Sequence, residues 1–358
     1  MPVVCCAGTL FHFHSICSVE INMPRKNIFL YFRISAVVLL TFIWISCAAP
    51  QNKQRIISLS PSHTEVLYAL GLQDQIVGWT QYCNYPPEVQ DVPGWVRYDQ
   101  YLFSSNEDEL KKKIPVVSTF TDVNFEVIET LKPTLILACH QMQKDIAEQL
   151  KAKGYNVLFF SPVTLEDVFD LIEKVGAATG KGALAKKLTL GYRSEIEQIK
   201  TVTKDLPKIA VYFEINHMGP YVLGSGSPMD QMLAIAGGLN IFEDVTSEAF
   251  RADPNDIIKR NPDVILTPLW PFAGRDEVTN IREIMTRPGF EDTKAVQNSR
   301  VYFYDSSLLK RPGPRQLVAI RKLAYLLHPY YFRNPEDSVD PWELGKIDAT
   351  YPPLKALK

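Results

Sequence analysis

Phosphate loops and nucleophile elbows are missing from this chain, and beyond residue 54 so are closely spaced cysteines and histidine clusters. Each absence removes a class of chemistry. GAATGKG, residues 176–182, places three residues between glycine and Gly-Lys where a phosphate loop needs four, and ends in Gly182 instead of Ser or Thr. GSGSP, residues 224–228, is not the G-x-S-x-G elbow; Ser227 and Pro228 read as the cap and first residue of a helix. The histidines beyond residue 60 are His63, His140, His217 and His328, too scattered for metal-ligand spacing. No C-x-x-C is present. Charge of one sign is missing too: 38 Lys and Arg stand against 40 Asp and Glu. That balance excludes a charge-driven nucleic-acid binder.

What is present starts with an export segment. Positive residues from Met23 to Arg33 precede an uncharged apolar run, Ile34 to Ser46. Thirteen residues are short for a membrane span and suit the apolar region of a signal peptide. The run closes on ISCA, residues 45–48, which resembles the lipobox of bacterial lipoproteins. Trp44 stands where that pattern usually has Leu. The resemblance implies cleavage before Cys47 and a lipid anchor on its thiol; the alternative is an uncleaved anchor. Residues 1–22 read as an upstream extension with Met23 the true start, 23–46 as the signal peptide and 47–54 as a tether. Cys5, Cys6 and Cys17 fall in the extension. Cys83 and Cys139 read either as a disulfide of an oxidising compartment or as two buried thiols.

From Arg55 onward, strand and helix patterns alternate. Strand-like runs lie at 55–60, 75–80, 134–139 and 156–161, and again at 208–215, 263–268 and 300–305. Helical spacing appears between them, as in QKDIAEQLKAKG and GPRQLVAIRKLAYLLH. Such alternation predicts an α/β fold of parallel sheets covered by helices. Between the two series, Leu184, Leu188, Tyr192, Ile196, Ile199 and Val202 recur every three or four residues. They mark one face of a helix of roughly 24 residues, about 36 Å long, which Pro207 ends. The reading is an N-terminal lobe over 55–179, a bridging helix over 180–207, a C-terminal lobe over 208–328 and an irregular tail over 329–358. The alternative is one larger sheet with the helix packed on it. Residues 102–115 read as a charged surface insertion.

The stretch RIISLSPSHTEVLYALGL, residues 55–72, runs from a strand straight into a helix. Ser60 or Ser62 caps that helix, Pro61 opens it, and Glu65 completes a capping box with Ser62. Exposed N–H groups at such a start hold a ligand's oxygens without doing chemistry.

Four segments then follow in order: SLSPSHTEVLYALGL, VGWTQYCNYPPEV, STFTDVNFEVIETLKPTLILA and KRPGPRQLVAIRKLAYLLHP. Together they resemble the substrate-binding proteins of ABC importers for vitamin B12 and iron complexes, the B12 binders most closely. The resemblance spans roughly Arg55 to His328. It implies two α/β lobes bridged by one long rigid helix, with the ligand in the cleft between them. It implies a monomer without catalytic residues or intrinsic cofactor. Such a protein is periplasmic, anchored to a bacterial membrane by lipid, and delivers a cobalamin-like corrinoid to the membrane subunits of an ABC importer. A ferric siderophore or haem is the alternative ligand. An enzyme on the same fold, or a surface adhesin, would be a different class; the missing motifs argue against the first, and ligand binding would exclude the second.

Carried over position by position, the resemblance puts Ser60, Ser62, Tyr82, Phe120, Tyr221, Phe250, Ser307 and Arg311 on the cleft. Broad apolar ligand faces call for such aromatic walls. Cys139 replaces a cleft tryptophan. His140 follows it, either as a loop residue or as a nitrogen ligand to cobalt or iron. Trp79, Trp95 and Trp270 are candidates to replace the missing ring, Trp270 the best placed. For an anionic iron chelate, Arg97, Arg251, Arg275 and Arg311 are the candidate cations, with only Arg311 on a matched motif. In the family one glutamate per lobe docks on importer arginines. Glu126 matches the first; Asn255 occupies the second position, flanked by Asp253 and Asp256. Carboxylates at helix starts also arise simply because they favour the helix dipole.

Overall fold

Short runs of β-branched and apolar residues alternate with amphipathic helices, and the structure, a computed structural model, resolves that alternation into two parallel sheets. It describes residues 53–85, 114–119, 121–215, 219–247, 249–268, 277–304 and 306–332. The expectations for Cys47, Trp95, Arg97, Phe120, His217, Trp270 and Arg275, and for the insertion and most of the tail, lie outside the described residues. From Gln54 onward the chain belongs to one compact unit.

The first sheet takes β1 (Ile56–Ser58), β2 (Ile76–Thr80), β3 (Val116–Ser118), β4 (Leu135–Cys139) and β5 (Val157–Phe160). Their order is β3-β2-β1-β4-β5, all parallel. Helices α1 (Pro61–Ala69), α2 (Phe125–Leu131), α3 (Lys144–Ala152) and α4 (Leu165–Ala178) connect and cover it. Alternate residues point to opposite faces. Ile56, Leu135 and Leu137 join the core shared with the second lobe, whereas Ile57, Leu59, Ile136 and Ala138 join an outer cluster with Val127, Ile128 and Leu150.

After the bridging helix α5 (Gly182–Thr203) come β6 (Ile209–Phe213), β7 (Tyr221–Val222), α6 (Pro228–Ile235), β8 (Gly238–Asn240), β9 (Phe250–Arg251), α7 (Pro254–Arg260), β10 (Val264–Pro268), α8 (Glu277–Met285), α9 (Lys294–Gln297), β11 (Val301–Tyr304), α10 (Ser306–Lys310) and α11 (Gln316–Leu327). The second parallel sheet has the order β11-β10-β6-β8, and β7 and β9 form a separate antiparallel pair. The two-sheet reading holds, and the single larger sheet is excluded. The strands β3, β7, β8 and β9 were not anticipated. At two or three residues each, they carry too little periodicity to announce themselves.

Helix α5 has 22 residues, about 33 Å at 1.5 Å per residue. It ends at Thr203, before Pro207. Leu188, Tyr192, Ile196 and Ile199 are buried as its spacing predicts, with Leu184 and Val202 half-buried beside them. That face lies in one contiguous cluster with Leu135 and Leu137 of the first sheet and Val211 and Leu266 of the second. The bridge is thus part of a core common to both lobes. Arg193 ties it to Glu166 of α4 at 2.8 Å, and Glu195 pairs with Arg321 of α11. The glycine motif at 176–182 turns α4 into α5. A Cβ on Gly176 would lie 2.4 Å from the Ala185 Cβ, so glycine there permits the close helix approach.

Candidate ligand-binding site

In a parallel sheet the place for a ligand is the crevice beyond the C-terminal strand ends, where the connections diverge to opposite sides. In the first sheet the chain moves from β1 outward to β2 and β3, then back to β4 and β5 on the other side. The switch therefore falls between β1 and β4, at Leu59–Ser60 and Cys139–His140. In the second sheet it falls between β6 and β10, at the ends of Phe213 and Pro268.

The first crevice is filled by a chain of buried hydroxyls. Thr64 Oγ1 donates to Ser58 Oγ at 2.9 Å, Ser58 Oγ donates to the Ser60 carbonyl at 2.8 Å, and the Ser60 and Ser62 hydroxyls share a 2.8 Å bond. The Gln143 side chain clamps the two strand ends, accepting from Cys139 N–H at 2.9 Å and donating to the Leu59 carbonyl at 2.8 Å. His63, fully buried on α1, meets the Phe160 ring edge-on at 5.5 Å. Neither ring nitrogen has a hydrogen-bond partner of good geometry. Burial pushes its pKa down to about 3, opposed only by the nearby Leu137 backbone.

The expected capping box does not form. Ser60 occupies the N-cap and Pro61 the first helical position, but no side chain caps the helix. Glu65 is drawn elsewhere. Its carboxylate accepts from Arg315 Nε at 3.0 Å and Arg315 Nη2 at 2.6 Å, with Arg311 Nη1 at 3.5 Å. A bidentate guanidinium outcompetes a single reach back to a backbone N–H. A complete capping box does occur at the start of α4, where Thr164 and Asp167 bond each other's backbone. A bond from Val163 N–H at 2.9 Å foremost, with those from Thr164, holds the Asp167 carboxyl below the usual range.

Glu65 belongs to the first lobe and both arginines to the second, so this is where the lobes meet. Arg311 also donates to Asn84 Oδ1 at 2.5 Å and to the Tyr82 carbonyl at 3.1 Å. Arg315 lies over the Tyr85 ring at 4.0 Å. Gly313 packs against Ser62, a Cβ there falling 3.6 Å from the Ser62 Cβ. Ser62 is thus buried beneath Gly313 of the second lobe, Ser60 is buried beside it, and neither hydroxyl is open. Sequence reasoning missed Glu65, Asn84, Tyr85, Gln143 and Arg315 as parts of this site. Glu65 and Arg315 sat in quoted motifs, but nothing local pairs residues 250 positions apart.

The remaining expected residues divide as follows. Tyr82, just past the end of β2, is exposed, and Met142 beside His140 is more so. His140 is exposed at the end of β4 with φ 77° and ψ 145°. A non-glycine residue in that region costs about 1–3 kcal/mol and persists only where its surroundings hold it. Here they do. Its N–H donates to the Phe160 carbonyl at 2.8 Å, its carbonyl accepts from Gln143 N–H at 2.9 Å, and its Nδ1 accepts from Met142 N–H at 3.2 Å. Tyr221 and Phe250 are brought together on the β7–β9 pair, where Tyr221 faces Arg251 and Val222 faces Phe250. Phe250 leans edge-on against Phe242 at 5.4 Å, within the second lobe's outer core. Ser307 is half-buried on α10. Trp79 is 3% exposed and belongs to the core, so it does not replace the missing cleft ring.

Cys83 and Cys139 are free buried thiols, which decides between the two readings of the pair. Cys83 contacts Thr64 Oγ1 at 3.1 Å and Cys139 contacts Ser62 Oγ at 3.9 Å. Burial pushes them up to about 12 and about 11. Among the described residues, no three His, Cys, Asp or Glu side chains gather as a metal site.

On the surface, Glu126 is exposed in the first turn of α2. Asp253 is the exposed N-cap of α7, accepting from Asn255 N–H at 2.9 Å. Asp256 differs: Arg260 takes its carboxylate at 3.0 Å.

Two parallel lobes, a bridging helix and paired switch points lead to the comparison with known proteins. The model of the family described as "Periplasmic binding protein" matches residues 56–308. The chain belongs to that family. Among similar proteins, the ABC transporter substrate-binding lipoprotein YvrC of Bacillus subtilis is 31% identical over 293 residues, covering 79% of this chain and 83% of that one. The vitamin B12-binding protein of Vibrio cholerae is 26% identical over 292 residues, covering 80% and 95%. Among solved structures, a "possible iron-binding (periplasmic solute-binding) protein" of Staphylococcus epidermidis superposes with TM-score 0.61 at 27% identity, covering 77% and 100%. Members of this family bind solutes for transport and are not enzymes. An ABC importer in the membrane is the partner that membership implies.

Proposed function

We propose that this protein is a lipid-anchored carrier that binds a cobalamin-like corrinoid and hands it to an ABC importer. One observation carries the choice of a neutral ligand. Arg311, the arginine on the matched motif, directs its guanidinium at Glu65, Asn84 and the Tyr82 carbonyl. An anionic iron chelate or haem needs cations aimed at the ligand, and the one on the matched motif is engaged between the lobes, which leaves exposed Arg251 on β9 as the candidate among the described residues. The exposed Tyr82 and Met142 at the strand ends suit the apolar face of a corrin. The likeness to the vitamin B12-binding protein of Vibrio cholerae over nearly its whole length supports the same reading.

Calorimetric titration with cyanocobalamin, haemin and a ferric catecholate tests it. Tight one-to-one binding of cyanocobalamin is expected, weakened in a Tyr82→Ala, Phe120→Ala double variant. Binding of the iron complexes in place of cyanocobalamin would overturn it and move the protein toward the Staphylococcus epidermidis relative.

Anchoring through Cys47 is part of the same proposal, supported by the lipoprotein designation of YvrC. Loss of acyl-lipid incorporation in Cys47→Ala is the expected result. Glu126 and Asp253, exposed at helix starts on different lobes, serve as docking carboxylates, with Asp256 held by Arg260. Reversal of either charge to Lys weakens importer binding without changing ligand affinity.

A further inference from the structure

The segment 81–85, just past β2, is held from both lobes at once. Gln81 and Cys83 bond back to the first lobe. Gln81 N–H donates to the Ser118 carbonyl at 3.0 Å, and Cys83 N–H to the Thr80 carbonyl at 3.2 Å. The Cys83 thiol is buried against Thr64 Oγ1. Tyr82, Asn84 and Tyr85 are held by the second lobe. Arg311 donates to the Tyr82 carbonyl at 3.1 Å and to Asn84 Oδ1 at 2.5 Å, and the Arg315 guanidinium covers the Tyr85 ring at 4.0 Å. We propose that Arg311 is a positioning residue for ligand binding: its guanidinium does not touch the corrinoid but fixes the segment 81–85, so that the second lobe presents the Tyr82 ring to the ligand. This rests on the corrinoid reading above.

The bonds of Arg311 fit a role through Tyr82. Its Nη2 is committed to the Tyr82 carbonyl, and its Nη1 to Asn84 Oδ1 and, at 3.5 Å, to Glu65 Oε1. The side chain is 19% exposed, and buried Glu65 supplies its counter-charge. A planar fork with two nitrogens on separate acceptors sets an orientation as well as a distance, which a single ammonium group cannot do.

Tyr82 supplies the second observation. Its backbone is pinned where the lobes meet, beyond the C-terminal end of β2, yet the residue is 45% exposed. An aromatic ring exposed at that seam offers apolar area to a broad ligand face. With its backbone already fixed, less freedom is lost when a ligand covers it. The pin comes from the opposite lobe, so the place of the ring follows the spacing of the lobes. A ligand that settles on Tyr82 therefore engages both lobes through Arg311.

The test measures cyanocobalamin affinity in a cycle of Arg311→Met, Tyr82→Ala and the double variant, with Arg311→Lys beside them. Backbone hydrogen exchange is followed in the ligand-free proteins. Arg315 still pairs with Glu65 when Arg311 is replaced, and Arg311→Lys also keeps a charge beside that carboxylate. Each single replacement weakens binding roughly tenfold. The double variant binds no more weakly than Tyr82→Ala alone, because Arg311 has no ring left to position. Arg311→Lys, which lacks the fork, binds as weakly as Arg311→Met. The amides of residues 82–85 exchange faster in Arg311→Met than in wild type. Losses that add in the double variant put Arg311 on the ligand itself and overturn the proposal, as does full affinity in Arg311→Lys or in Tyr82→Ala. Unchanged exchange at residues 82–85 overturns this proposal alone. Absence of corrinoid binding by folded wild-type protein overturns the carrier reading and this proposal together.

Discussion

Replacing Glu65 with Gln tests whether the junction between the lobes is held by charge. Glu65 is 1% exposed and receives two short bonds from Arg315, at 3.0 and 2.6 Å, with Arg311 at 3.5 Å. Arg315 is itself buried and stacked on Tyr85. At an effective dielectric near 20, unit charges 3 Å apart attract by about 5 kcal/mol, before desolvation is subtracted. Removing one partner of a buried pair costs about 3–5 kcal/mol, because the other charge stays behind uncompensated. Gln keeps one carbonyl acceptor, so the lower end applies, about 3 kcal/mol. The pair is out of solvent, so moderate salt should change this little. Urea unfolding measures it directly. A double replacement, Glu65→Leu with Arg315→Met, removes both charges and should recover much of the loss. Because both lobes share the core that contains α5, destabilisation at the junction should shift one common transition rather than split it. Stability of Glu65→Gln within about 0.5 kcal/mol of wild type, or a double variant no better than the single one, would refute the reasoning.

Three further outcomes follow from buried groups. His63 has a pKa of about 3 in the fold against 6.5 when exposed, so the unfolded chain takes up its proton first. Its contribution, about 5 kcal/mol, is complete above pH 6.5 and is lost at about 1.4 kcal/mol for each pH unit below, until little remains near pH 3; His63→Asn should flatten that slope in denaturation series at several pH values. Cys83 and Cys139, raised to about 12 and about 11, should resist thiol reagents at pH 8 until urea unfolds the chain; rapid labelling of folded protein would contradict their burial. Gly176→Val sets branched carbon against Ala185 across a 2.4 Å Cβ approach and should cost roughly 2–3 kcal/mol in melting or urea experiments.

The sequence by itself determined the longer elements and their order, and missed the two- and three-residue strands β3, β7, β8 and β9. Apolar alternation located seven strands to within one or two residues, and a three-and-four spacing located α5, because these patterns are local consequences of which face is buried. Motif resemblance carried the family for the same reason: contiguous segments are read without knowing what they touch. Ser227 as a helix cap was legible from its neighbours alone. The capping box at Ser62 was read from the same kind of local rule and did not form, since Arg315, 250 residues away, claims the Glu65 carboxylate. Only the tertiary structure decided that Ser62 lies beneath Gly313 of the second lobe, that Arg311 bridges the lobes, and that Cys83 and Cys139 remain separate thiols. Local spacing specifies what a segment becomes. Which distant charge or amide meets a side chain is settled by how two sheets and one long helix close around a common core.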